Sequence, residues 1–437
     1  MSPEILAFIM LGVVVVTIVM GIPVAFALAS VPMIFGYFVV GERTLPLFAL
    51  QTFGMVTNYP FVAAPLFILM GSLMERSGIA DRLFESFYHL LGSLKGGLAI
   101  ATVAMATIFG ACTGIVGAGV ITIGLLALPA MLSRGYGKGL ATGSVMVGGG
   151  LGVIIPPSIM LILYGAAAGV SIAQLFIAAI IPGIFMGLSY IVYIYIRARI
   201  SPAIGPPIAD EERIVGSKLT RLVAVSLLPP IFLILAVLGT IFFGVVSPSE
   251  AGAMGVLGAI LLVAQSGNLN LKVLKESATS TLRITSAILL ICLAGTLFTG
   301  VFIGMGGDKF MRTLLEGINL GPTGMVLALL FIVLLLGMVM DWIALIFILT
   351  PIFAPIIKTV GIDPLLFGIL FCLTLQISNI TPPFAYSVFY LKTITPPEVT
   401  TGDMYKGCIP FALVSTLTPL LVLIFPYVAL WLPGIMK

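Results

Sequence analysis

The side chains best suited to chemistry in this 437-residue chain are few, and they gather where long apolar runs break. The first such region runs from Gly110 to Pro157. It is interrupted at Gly110-Ala-Cys-Thr-Gly-Ile-Val-Gly-Ala-Gly119, turns through Arg134-Gly-Tyr-Gly-Lys138, and breaks again at Gly148-Gly-Gly-Leu-Gly-Val-Ile-Ile-Pro-Pro157. The second, Gly337 to Pro383, holds Asp341 and the segment Gln376-Ile-Ser-Asn-Ile-Thr-Pro-Pro383. Thr113, Ser144, Ser158, Ser378, Asn379 and Thr381 offer hydroxyl and amide oxygens, hard donors that suit a small cation such as Na⁺. Where a helix breaks, the amides that open one half-helix suit a carboxylate, and the carbonyls that close the other suit a cation. Asp341 is the one carboxylate expected in the apolar core. An ionisable residue at membrane depth marks a functional site by default, although Asp341 also has the right chemistry to cap the half-helix that follows it. No Arg or Lys falls inside a predicted span, so an anionic substrate would rest on amide dipoles and bound cations.

Other chemistries are poorly supplied. His89 is the only histidine, which excludes a histidine-based metal site. Cys112, Cys292, Cys372 and Cys408 stand alone in apolar surroundings and read as small buried hydrophobes. A membrane-embedded enzyme would need a nucleophile, metal ligands or paired carboxylates at depth, and only Asp341 offers itself. Nothing suggests nucleic acid.

The elements that position these residues must cross a lipid bilayer. The chain is 60% hydrophobic and 8% charged, against about 25% charged residues in soluble domains. Apolar segments of 18 or more residues recur throughout, which predicts an all-α polytopic membrane protein. Gly and Pro are frequent (49 and 28), as is usual in membrane helices. The opening Met1-Ser-Pro-Glu lacks a basic n-region and a cleavage site, so its apolar run is expected to be a retained span.

The first half, 1–196, is predicted to hold scaffold spans over 4–75 and an in-plane amphipathic helix over 79–92. A re-entrant hairpin over 96–133, a broken span over 139–165 and a span over 173–196 follow. Residues 42–58 are expected along the interface. A mixed-charge linker, 197–221, leads to a second half, 222–437, with spans over 222–306 that include an amphipathic stretch, 268–283. It continues with an in-plane helix over 307–319, a hairpin over 322–357, a broken span over 364–391 and a last span over 406–431. An offset of 226 aligns Pro129 with Pro355, Gly135 with Gly361, Pro156-Pro157 with Pro382-Pro383, and Tyr164 with Tyr390.

Five full spans per half require the halves to be inverted. With the linker cytoplasmic, the loops 75–95, 134–138, 197–221, 268–283 and 392–406 share its side and carry 15 of the 20 Lys and Arg. That bias follows the positive-inside rule and puts both termini outside. Gly/Pro-interrupted segments at corresponding places in two such halves point to the binding site of a secondary transporter.

Several of these segments carry a family resemblance. Residues 110–119, Leu-Pro-Ala-Met-Leu-Ser-Arg-Gly-Tyr (128–136) and Gly-Val-Ile-Ile-Pro-Pro-Ser (152–158) resemble the large membrane subunit of tripartite ATP-independent periplasmic (TRAP) transporters. So do Ile-Leu-Thr-Pro-Ile-Phe-Ala-Pro-Ile (348–356), Gly-Ile-Asp-Pro (361–364) and Thr-Pro-Pro (381–383). The resemblance extends from about residue 3 to residue 433. Many relatives have a more Ser-rich first tip than Cys112-Thr113-Gly114.

The resemblance implies an elevator-type transporter of a bacterial inner membrane, driving uptake of an organic acid with Na⁺ as coupling ion and with no organic cofactor. It implies two partners, a periplasmic substrate-binding protein and a small four-helix membrane subunit, the latter expected as a separate chain. One Na⁺ site is carried over to Thr113, Gly150, Val153 and Pro156. By repeat symmetry a second falls at Asp341, Gln376, Asn379 and Thr381, with substrate expected against Gly114, Gly117, Ser158 and Ser378. A stand-alone Na⁺-coupled carrier of the dicarboxylate type shares the hairpin architecture and is the alternative.

Overall fold

The computed structural model describes residues 2–209, 212, 214–316 and 320–436. The first half begins with α1 (Pro3–Val19), α2 (Val24–Val40), α3 (Thr44–Val56) and α4 (Ala63–Glu75). Next comes α5 (Ile79–Leu91), which leaves the helix before it at 62°. Gly78, with φ +71°, makes that corner. Leu83 and Phe87 of α5 are buried while Asp81, Glu85 and the rest of its polar face stay accessible, the pattern of a helix lying along a surface.

The hairpin is α6 (Gly97–Thr113) packed on α7 (Val116–Ser133). The broken span is α8 (Lys138–Leu151) and α9 (Ile159–Ala168), and α10 (Ile172–Ile200) closes the half. The second half has a similar series, with three helices before its short in-plane helix where the first has four. It comprises α11 (Ser217–Phe242), α12 (Pro248–Gln265), α13 (Leu271–Gly304) and α14 (Gly307–Glu316), then the hairpin α15 (Gly321–Gly337) and α16 (Trp342–Val360). The broken span α17 (Pro364–Ser378) and α18 (Tyr386–Lys392) follows, then α19 (Thr401–Ser415), α20 (Leu417–Ile424) and α21 (Tyr427–Gly434). Among the described residues, eight helical segments are long and apolar enough to cross a membrane.

Burial separates the elements. Every residue of α8 from Leu140 to Leu151, and of α17 from Phe367 to Ser378, is buried. By contrast α1, α2, α3 and α11 present large apolar side chains outward, Phe26, Phe38, Phe53 and Phe232 among them. In a bilayer such faces meet lipid. The broken spans therefore sit at the centre, with hairpins against them. The helix α4 packs on α6, and α13 packs on α16.

The five basic loops converge. Arg76 pairs with Glu276 at 3.7 Å and Asn268 Nδ2 donates to Ser77 O at 3.1 Å. Gly96 N donates to Gly205 O at 2.8 Å and Gly137 N to Ile204 O at 2.9 Å. Lys138 Nζ donates to Glu398 O. Loops far apart in sequence thus share one end of the molecule, the grouping the charge count assigns to one membrane side.

Three boundaries differ from expectation. The amphipathic stretch 268–283 is not a separate element, because α13 is a single 34-residue helix. Between Leu271 and Gly295 there is no Gly or Pro to stop it. The last span is in three pieces, with a bend at Phe425-Pro426 where the residue before proline leaves the α region. The linker is shorter than its charge pattern, since α10 continues to Ile200 before Pro202 and α11 starts at Ser217 after Gly216. The proposed end of the second in-plane helix at 319 lies outside the described residues.

Candidate functional site

At the first hairpin tip, α6 stops because Gly114 adopts φ +66°, a conformation that is cheap only for glycine. Its N–H bonds Gly110 O at 2.9 Å, Ile115 is extended, and α7 begins one residue later. The tip is therefore two residues, shorter than the predicted 113–119. Thr113 is buried, and its hydroxyl donates to Gly110 O at 3.4 Å.

The neighbouring glycine run is mostly helical. Gly148, Gly149 and Gly150 belong to α8, and the break spans 152–158. These glycines permit close backbone approach. A Cβ on Gly110 would lie 2.8 Å from Gly152 Cα, and one on Gly149 would lie 2.5 Å from Val120 N. Inside the break, the Ser158 hydroxyl donates to Val153 O and accepts from Leu161 N at 3.4 Å, capping α9. Pro156 is buried and joined to Pro157 by a cis peptide bond. Pro157 O faces Gly114, 3.4 Å from where a Cβ would stand. The tip and break of the first half thus meet through backbone.

The second half joins its tip and break through other bonds. α15 ends before Met338 and Asp341 caps α16, its Oδ1 accepting from Ile343 N at 2.9 Å. Phe384 N donates to Met338 O at 3.3 Å and Tyr386 OH to Val339 O at 3.4 Å. Ser387 N donates to Asn379 O at 3.2 Å. Ser378 lies against Gly337, where a Cβ would collide with its hydroxyl. Gln376 and Ser378 are the last helical residues, and Asn379 opens the break. The hydroxyls of Ser378 and Thr381 donate to Leu375 O and Ile377 O at 2.7 and 2.6 Å, leaving their lone pairs free for a cation.

Among the site residues, the two halves touch at Gly150 and Gln376, which are 226 positions apart. The Gln376 side chain fills the space a Cβ on Gly150 would need. Nearby seams are tight as well, with the Tyr390 ring covering Gly117 so that a Cβ there would be 2.9 Å from Cε1. No hydrogen bond among the described residues links Thr113, Val153 or Pro156 to Asp341, Asn379 or Thr381. The Gly150–Gln376 contact is where the two groups approach.

The most informative atoms lack partners. Gln376 Nε2 and Oε1, Asn379 Nδ2 and Ser387 Oγ are buried with no hydrogen-bond partner among the described residues. Gln376 and Ser387 are 0% exposed and Asn379 2%. Leaving a buried amide unmet costs about 1–3 kcal/mol, so such a group calls for an ordered water, an ion or a ligand. Ser387 was not among the expected site residues. It lies beyond the Pro-Pro pair in what reads as plain helix, and only its place in the first turn of a half-helix signals it. The four cysteines are buried and free, as expected.

Residues 11–428 match the family described as "Tripartite ATP-independent periplasmic transporter, DctM component". The ectoine TRAP transporter large permease protein TeaC of Halomonas elongata is 32% identical over 431 residues, covering 97% of this chain and 98% of TeaC. The C4-dicarboxylate TRAP transporter large permease protein DctM of Pseudomonas aeruginosa is 30% identical, covering 88% and 89%. The isethionate TRAP transporter permease protein DctMQ of Oleidesulfovibrio alaskensis is 29% identical over 87% of this chain but only 59% of its own, so further chain is joined to the permease there. Among solved structures, the YdaH transporter of Alcanivorax borkumensis matches with TM-score 0.65 and 16% identity over 91% of this chain and 90% of that one, a likeness of fold. The chain is a multi-pass membrane protein that belongs to the TRAP transporter family, as a large permease subunit.

Proposed function

We propose that this permease couples Na⁺ entry to uptake of an organic acid anion, received from a periplasmic binding protein, across a bacterial inner membrane. The observation that supports the coupling is the pair of unmet buried oxygens Gln376 Oε1 and Ser387 Oγ, beside the unwound backbone of 379–385, while the unmet N–H groups of Gln376 and Asn379 suit an anion. Amide and hydroxyl oxygens with open carbonyls suit Na⁺, and amide N–H groups at the half-helix starts suit an anion. Asp341 and Thr381 complete the cation side in the second half. Thr113, Gly150, Val153 and Pro156 form the corresponding site in the first, with Gly114, Gly117, Ser158 and Ser378 toward the substrate.

In this reading the halves are inverted, both termini are periplasmic, and the hairpins with the broken spans move as an elevator against a scaffold. The small membrane subunit is a separate chain, unlike the joined arrangement suggested by DctMQ. The relatives' printed substrates are ectoine, C4-dicarboxylate and isethionate. Two of these three, C4-dicarboxylate and isethionate, are organic acid anions and support the anion class; with no fixed cation in the core, such an anion would rest on amide dipoles and bound Na⁺. Reconstituted with its partners, the permease takes up substrate only under an inward Na⁺ gradient. Uptake that ignores Na⁺, or that needs no binding protein, contradicts this reading.

A further inference from the structure

We infer that the segment between α10 and α11 is a strap with one fixed and one releasable half, the releasable half latched by Glu212. This rests on the proposed division into a moving hairpin unit and a scaffold. The fixed half is 204–208. Its backbone is bonded to the turns at either end of the first hairpin: Gly96 N to Gly205 O (2.8 Å), Gly137 N to Ile204 O (2.9 Å), and Ile208 N to Gly92 O (2.9 Å). Ile208 is buried against Gly92, and a Cβ on Gly205 would be 2.9 Å from Gly96 Cα. This half travels with the hairpin.

Beyond it, Glu212 and Ile214 are held by bonds that involve side chains. Glu212 accepts from Arg134 Nη2, at the hairpin base, and from Tyr88 OH of α5 at 3.3 Å. Arg134 also donates to Tyr88 OH at 2.5 Å and lies over the ring at 5.5 Å. Ile214 N donates to His89 Nδ1 at 3.3 Å. Arg134 holds the Glu212 carboxyl below the usual carboxylate range, so the pair stays charged at neutral pH.

The arrangement ties three bodies together: the hairpin base, the in-plane helix α5, and the entry to α11, which packs on α5 and α12. A hairpin unit that moves relative to α11 and α12 must draw slack from the strap. Freed of its latch, the eight residues 209–216 reach at most about 28 Å. An exposed ion pair is weak and salt-screened, which suits a contact that opens in each cycle.

The test uses the full-length protein in nanodiscs, with spin labels at Ser133→Cys on the hairpin base and Ser266→Cys just beyond α12. The four native cysteines are buried. Two distance populations are expected, with Glu212→Gln shifting their ratio by about two- to fivefold. Hydrogen exchange at Ile214 speeds up in that variant while Gly96, Gly137 and Ile208 keep their protection, and Arg134→Glu with Glu212→Arg restores the original ratio. Two populations whose ratio ignores Glu212→Gln would overturn the latch and leave the moving unit standing. One fixed distance in both proteins would overturn the moving unit and the latch with it.

Discussion

Around Gly152 the chain packs glycine backbone against glycine backbone; around Asn379 it leaves buried polar side chains without partners among the described residues. Both interrupted units have a hairpin tip, a half-helix, a Pro-Pro break and a second half-helix. In the first, glycines at 110, 149 and 152 bring main chains into contact, and the polar side chains present are engaged, Ser158 as a cap and Thr113 toward its own helix. In the second, Asp341 caps α16 while Gln376, Asn379 and Ser387 stay unmet. The same order of elements is therefore held in two ways: the first unit by close glycine backbone contacts, the second with the side chains of Gln376, Asn379 and Ser387 left without hydrogen-bond partners among the described residues.

Breaking the glycine frame has the largest expected effect. Gly149→Ala sets a methyl against the Val120 backbone, which cannot step aside, and costs about 3 kcal/mol or more. At the second hairpin tip, Gly337→Ala meets only the Ser378 side chain and costs about 1–2 kcal/mol, partly recovered in Gly337→Ala/Ser378→Gly. Thermal unfolding in detergent orders the two. Equal losses would mean that the first unit is no more rigid than the second.

The next variants sharpen the contrast in the other direction. Gln376→Leu and Asn379→Leu remove unmet polar groups, so the Na⁺-free protein is as stable as wild type or about 1 kcal/mol more stable. Na⁺-coupled uptake is lost. Ser158→Ala behaves oppositely, losing about 1 kcal/mol of stability with its cap and leaving Na⁺ affinity within a few-fold. Melting curves beside transport assays separate these outcomes, and a destabilised Gln376→Leu would show that its amide has a structural partner.

The smallest stability effect is expected at Asp341. Asn keeps the cap on α16, so Asp341→Asn costs a few tenths of a kcal/mol, against about 1 kcal/mol for Asp341→Ala. If the charge serves Na⁺, both variants lose Na⁺ affinity alike. If only the cap matters, Asp341→Asn retains it.

Much of this was legible in the sequence, for physical reasons. Apolar length located the helices, and Gly and Pro located the interruptions. The charge count grouped five loops that the structure brings together. What escaped was which glycines break a helix and which let two helices touch. Gly148–Gly150 stay helical because their missing side chains make room for Ala106, Val120 and Gln376. The offset of 226 pointed to a repeat but not to the contact, since nothing in the residue types says that Gly150 and Gln376 face each other. Ser387 was invisible because a serine is informative only when its partners are known to be missing.

The central claim is that oxygens of the second break, Gln376 Oε1 and Ser387 Oγ among them, hold Na⁺, and a Na⁺ titration of thermal stability tests it without any substrate. Full-length permease should melt progressively higher as NaCl replaces choline chloride at constant ionic strength, by about 2.7 kcal/mol of added stability at a hundred times the dissociation constant. KCl should do nothing, and Gln376→Leu with Asn379→Leu should flatten the Na⁺ response. A wild-type protein that responds to Na⁺, K⁺ and choline alike, or a double variant that keeps the full Na⁺ response, would contradict the account.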